Sequence, residues 1–348
     1  MKFSRVGTLA TLAGLVLQAC SGGASPLAPG TPAASLNRPM SSPAIAKNLY
    51  VSNQVNDSVT VYAPGTSSPL RTITQGVVDP LALIFDAAGN LYVGNGSPTV
   101  TGGNNVTVYA PGSTSVLRTI SDGVAEPAAF AIRATSGELY VANFGNNTVT
   151  AYRSGKTKLF RTLTAGVNEP DALAFDTSGH CYVSNFSSST VTVYKSGSST
   201  LLRTISQGIY EPFTLALDNS GNLYVANYGN NDVTVYAPGT TAVLRTISQG
   251  INGPSALTFD GSGNLYVANL MGTTVTVYAP GETSVLRTIS KGIHGPAALA
   301  FGSNGYLNVG NASTPLPTSV TEYPPEKTKL ARKITKGISG PDSLAFGP

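Results

Sequence analysis

The chain has 348 residues, room for two ordinary domains or one large β architecture. Charged residues make up only 11% of it, glycine and proline number 38 and 23, and no stretch has the spacing of a long amphipathic helix, which excludes a helical bundle. The formal net charge is +4, and without Lys2 and Arg5 near the start the balance is 19 basic against 17 acidic residues, so nothing electrostatic points to nucleic acid or anionic lipid.

In chain order, Lys2 and Arg5 precede VGTLATLAGLVL (6–17), an apolar run of leader length that is short for a bilayer span. It ends at LQAC (17–20), which resembles a bacterial lipobox, with Gln18 departing from the usual pattern. The resemblance implies cleavage of a signal peptide (1–19) and lipidation of Cys20; Ser21 after the cysteine implies the outer membrane. Residues 20–46 continue as a Ser/Gly/Pro/Ala-rich stretch that cannot bury enough surface to fold, which predicts a tether. Cys181 is the other cysteine; with Cys20 lipidated no intrachain disulfide forms, and Cys181 stands where sister repeats have Leu, as a small buried hydrophobe.

From residue 47 to 348 one phrase returns seven times. A LYV-type run centres on Tyr50, Tyr92, Tyr140, Tyr182, Tyr224, Tyr266 and, degenerately, Asn308. A VTVY-type run ends at Tyr62, Tyr109, Tyr152, Tyr194, Tyr236, Tyr278 and Tyr323, and an LRTI-type run follows each. Each unit closes with a G-x-x-x-P loop and an ALAFD-like run. This predicts four short strands per unit, termed a (ALAFD), b (NLYVAN), c (VTVY) and d (LRTI), joined by turn signals such as D-x-S-G-N. Four-stranded units of about forty residues repeated seven times predict an all-β, seven-bladed β-propeller. The ring begins on a b strand and ends on an a strand, so the C-terminal strand is expected to complete the first blade, a one-plus-three closure that leaves no open edge.

These phrases, YVAN with NNDVTVY, LRTI and DGSGN, are similar to the YVTN and NHL families of propeller repeats over the whole ring. The resemblance implies a bacterial extracytoplasmic propeller. Those families host scaffolds, receptors, lactonase-like hydrolases and lyases, so it implies no single activity.

Most repeated residues read as architecture. The DxSGN turns lack the later Glu of a calcium loop. The Asn that ends each b strand (Asn53, Asn95, Asn143, Asn185, Asn227, Asn269, Asn311) is expected to satisfy loop backbone. The d-strand arginines read as solvated edge protection.

Function is then expected where the units differ. Alternating strands bring the b–c and d–a loops to one face, around one mouth of the channel. After the b-strand Asn come Phe144, Phe186, Tyr228 and Leu270 on four successive blades; before the loop proline come Asp79, Glu126, Glu169 and Glu211, then three glycines. Tyr210, Phe213 and Asp171 fall in the same sector. Aromatic faces beside carboxylates suit a sugar ring or a cationic peptide. The leading expectation is a non-catalytic, lipid-anchored binding or scaffold propeller of the cell envelope, a monomer that takes a glycan, peptide or protein partner and needs no cofactor. The alternative is a lactonase-like or lyase-like enzyme, with Glu126, Glu169, Glu211 and Asp171 gathering a divalent cation. The only histidines are His180, in an a–b turn, and His294, and no Cys/His cluster, serine-nucleophile motif or phosphate loop is present.

Overall fold

A computed structural model describes residues 47–97, 99–312 and 318–348. The expected signal peptide 1–19, Cys20 and the expected tether 20–46 lie outside the described residues, as does most of the b–c loop of blade seven. The described chain forms seven four-stranded antiparallel sheets, a seven-bladed β-propeller. Blade two is representative, with strands Pro80–Phe85, Leu91–Asn95, Asn105–Tyr109 and Val116–Ile120 from the axis outward. Blade one takes its innermost strand from the end of the chain: Pro341–Gly347 pairs with Asn48–Asn53, Leu49 opposite Phe346 and Val51 opposite Leu344. The one-plus-three closure expected from the phase of the repeats is therefore present.

The core lies between blades. Strand alternation sends Tyr224, Val233 and Ile247 of blade five to the face that meets Leu257, Leu265 and Tyr278 of blade six, and the same pairing recurs around the ring. The b-strand tyrosines meet a large apolar residue on strand a of the next blade. Tyr50–Phe85, Tyr140–Phe175, Tyr224–Phe259 and Tyr266–Phe301 are edge-on pairs with centroids 4.8–5.1 Å apart. The c-strand tyrosines are fully buried and donate their hydroxyls to carbonyls of the loop that crosses from the preceding blade, as from Tyr109 to Gln75 and from Tyr236 to Gln207, both at 2.6 Å. Cys181 is buried, and burial pushes its thiol far above the ordinary range, which removes it as a nucleophile.

The arginine ladder differs from its expected role. Along Val243–Ile247 the outward positions are Leu244 and Thr246, while Arg245 shares its parity with Val243 and Ile247 and lies over the blade. Its guanidinium donates to the Tyr224 hydroxyl at 2.6 Å, and that hydroxyl lies 3.3 Å from Asp218 Oδ2 in the a–b turn. The carboxylate also takes the backbone N–H of Ser220 and Asn222. This Asp–Tyr–Arg chain ties the turn, the second strand and the outer strand of a blade together, and it recurs at Asp86–Tyr92–Arg118 and Asp260–Tyr266–Arg287. In blade four His180 replaces the turn Asn and lies 2.8 Å from Asp176. The arginines are thus structural clamps rather than solvated edge charges, and the turn aspartates are spent on hairpins.

Candidate functional site

At the mouth, each b strand ends in an Asn that is at most 1% exposed. Asn227 is typical. Its Oδ1 takes the backbone N–H of Tyr210, and its Nδ2 donates to Gly208 O, Asp232 Oδ1 and Thr234 Oγ1. The equivalent acceptor bond, from the loop N–H two residues before proline to Asn Oδ1, is present in all seven blades. The Asn ring is therefore a set of loop fasteners, and removing one leaves buried groups without partners, at about 1–3 kcal/mol.

With the loop pinned in this way, the residue before proline is held at positive φ. Asp79, Glu126, Glu169 and Glu211 have φ of 47–49°, and the equivalent Gly253, Gly295 and Gly340 have 53–64°. That region costs an L-residue roughly 1–2 kcal/mol, and a following proline disfavours it further. Glycine meets the demand on three blades without that cost; four blades carry an acid in its place. The acids' backbone is saturated. The N–H of Glu169 donates to Asn147 Oδ1 of the preceding blade at 2.7 Å, and its carbonyl accepts from Phe186 N at 3.0 Å. Glu126, with Asn104 and Phe144, and Glu211, with Ser189 and Tyr228, repeat both bonds. The acids do not cap the turn with their carboxylates, which lie over the b–c loops: Glu169 accepts from the Ser187 hydroxyl, and Glu126 packs on Gly145.

The two expected arcs are therefore one structure, with Phe144, Phe186 and Tyr228 each seated against Glu126, Glu169 and Glu211. All six are half-buried. Partial burial first, and then the charges of Asp79 and Glu169, push the Glu126 carboxyl above its usual range. Asp79 is raised too, by burial first; a hydrogen bond with Gln54 offsets part of the rise, and the charge of Asp57 adds to it. The arc is a line of like charges whose field favours a cation.

Other expected residues fare differently. Tyr210 is half-exposed over Gly229, and Phe213 packs on Tyr228 at 5.9 Å between centroids, so both belong to the mouth. Asp171 is buried in the wall of the inner strand rather than displayed beside Glu169. Leu270 is half-buried, and Met271 is the exposed apolar residue of that loop, seated on Gly253. Val55 on Gly340 repeats this, so at Gly253 and Gly340, where the acid is absent, a bulky residue covers the glycine. Among the described residues no three His, Cys, Asp or Glu side chains come together to hold a metal ion. Sequence reasoning missed Asp342, 1% exposed on the closing strand, with a carboxylate oxygen that has no hydrogen-bond partner among the described residues.

No protein-family model matches the chain, and no curated protein is a detectable relative. Solved structures share the fold. A protein from Lactobacillus plantarum is 16% identical with a TM-score of 0.72, over 87% of this chain and 100% of its own. A functionally unknown protein from Desulfotomaculum acetoxidans is 15% identical with a TM-score of 0.71, over 86% and 99%. A candidate 6-phosphogluconolactonase from Bacteroides uniformis is 14% identical with a TM-score of 0.68, over 87% and 100%. At these identities the likeness is one of fold.

Proposed function

We propose that the protein is a binding propeller of the bacterial cell envelope, held by a lipid on Cys20, whose mouth captures a cationic ligand, foremost a basic peptide segment of a partner protein. The observation that carries this is the acid kept at Glu126, Glu169 and Glu211 in a conformation that glycine adopts without strain. The carboxylates do not cap the d–a turns that bear them and reach only the neighbouring b–c loop, as Glu169 does to Ser187, so acids at a position that favours glycine speak for use by a ligand. The flanking Phe144, Phe186, Tyr228 and Tyr210 supply flat apolar contact beside the charge.

A fluorescein-labelled hexalysine peptide is expected to bind, weakening as salt rises. Glu126→Gln/Glu169→Gln/Glu211→Gln is expected to reduce affinity at least tenfold with Tm unchanged, because Gln keeps the backbone and shape. Equal binding by the triple variant would remove the acidic arc from the function. The alternative is a metal-assisted hydrolase; a structural neighbour that bears the name of a candidate 6-phosphogluconolactonase is consistent with a hydrolase on this fold. A rise in Tm with Ca²⁺, Mg²⁺, Mn²⁺ or Zn²⁺ that Glu169→Gln abolishes would put that reading first.

The anchor rests on LQAC and the fold-poor stretch after it. Labelled palmitate is expected to enter the full chain expressed in a bacterium and not the Cys20→Ala variant; equal labelling of both would overturn the anchor.

A further inference from the structure

Blade seven breaks the Asp–Tyr–Arg chain. Gly302 stands at the Asp position and Asn308 at the Tyr position, while Arg332 is kept. Glu322, on strand c where the other blades carry Val or Ala, lies opposite both Asn308 and Arg332, and its carboxylate is 2.7 Å from the guanidinium. The arginine thus keeps an acceptor, but the ring is gone. In the pairs that stack on phenylalanine, the tyrosine meets the next blade edge-on; here that phenylalanine is Phe346 of the closing strand, and Asn308 offers it no ring. The deletion leaves a cleft of about 50 Å³ at the seam of blades seven and one, walled by Asn308, Glu322, Arg332, Phe346 and Asn304 with Lys47 at its rim. It opens on the face away from the acidic mouth, beside the exposed Gly65 and Ser303.

We propose that this cleft binds a free hydroxyaryl molecule, a single phenol ring, in the place of the absent tyrosine. The sister blades show the chemistry the cleft is built for. There a phenol oxygen accepts from the arginine, its proton faces a carboxylate, and its ring lies edge-on to a large apolar residue. In blade seven the arginine and the apolar residue survive as Arg332 and Phe346, and Glu322 supplies a carboxylate from strand c where Gly302 has removed the turn aspartate. Space for several waters lined by a guanidinium, a carboxylate and a ring edge suits one small amphipathic ring better than an aliphatic chain or a fused ring system.

The test is ligand-observed ¹⁹F NMR of 4-fluorophenol with the protein. Wild type is expected to broaden the signal, and p-cresol to reverse the effect by competition. Asn308→Tyr/Glu322→Val, which rewrites blade seven in the pattern of its sisters, is expected to lose at least tenfold in affinity. Should that variant fail to fold, Phe346→Leu serves in its place, since the seam of blades four and five carries Leu217 at that position; it is expected to weaken binding severalfold. No broadening by wild type at millimolar 4-fluorophenol, or equal binding by the variants, would overturn the proposal. Binding of N-acetyltyrosinamide in preference to the free phenols would overturn the free molecule as occupant and assign the cleft to a tyrosine of a partner protein.

Discussion

A chain ending at Gly340 is expected not to fold cooperatively. The lost segment, Pro341–Gly347 with Pro348, is the innermost strand of blade one, and it packs against the inner strands of blades two and seven. Leu344 and Ala345 are each 1% exposed, and their loss uncovers Leu49, Val51 and Leu83. Hydrogen bonds from Leu83 N to Ser343 Oγ and from Tyr50 Oη to Pro348 O go with them. At about 1.5–3 kcal/mol for each large apolar side chain returned to water, the loss is on the order of 5 kcal/mol or more, against a net stability of about 5–15 kcal/mol for a folded domain. It also exposes the edge of Asn48–Asn53, an invitation to intermolecular pairing. Size-exclusion chromatography and urea unfolding monitored by circular dichroism would show aggregates and a broad transition. A monomer with an unchanged midpoint would mean that the ring does not depend on its closure.

Asp342→Asn is expected to stabilise the protein at neutral pH and to leave it unchanged in acid. The carboxyl is buried at the closure seam, and desolvation first, then the charge of Asp79, holds its affinity for a proton well above the usual carboxylate range. The sign follows from proton counting. Below about pH 4 both folded and unfolded chains carry the proton, and burial imposes no ionic penalty. As pH rises through the unfolded value the unfolded chain releases its proton and the folded one does not. Stability therefore falls with rising pH until the folded group ionises. Asn has no proton to lose, so the wild-type decline is the difference between the two proteins. At pH 7.5 the Asn variant is expected to melt several degrees higher, since 1 kcal/mol corresponds to about 2–4 °C in a large domain; at pH 3.5 the curves should coincide. Parallel pH profiles would place the Asp342 carboxylate in contact with a compensating group.

The ring was legible because its evidence is collective. Seven copies of one phrase, with a period too long for a hairpin and too short for a domain, define blades even where Asn308 replaces a tyrosine. The phase at the two ends announced the closure. Individual side chains were less legible where the backbone departs from simple alternation. The inner strands carry a register irregularity just after the proline, so the direction of Asp171 and Asp342 could not be read from parity. Arg245 is legible in the sequence by parity, which places it inward with Val243 and Ile247, although its charge alone points to water. The mouth lay between these cases. Acids and aromatics were located by their variation from blade to blade, but their pairing needed the loop geometry. The alternation of acid with Gly253, Gly295 and Gly340 was the one sequence sign of a left-handed backbone. Blade seven looked merely degenerate, although Asn308 and Glu322 change together and compensate each other around Arg332.

The closure also sets a direction. Asn48 and Gly347 are paired, so the chain enters and leaves the ring beside itself, at the end of blade one opposite the acidic mouth. A lipid on Cys20 would pull on that far side. The propeller would then stand with its mouth turned away from the bilayer and the blade-seven cleft turned toward it, with charged ligands met from the aqueous side and small phenols arriving near the membrane. A reporter fused after Pro348 would sit in the gap beneath the ring, where it could obstruct the cleft while leaving the mouth clear.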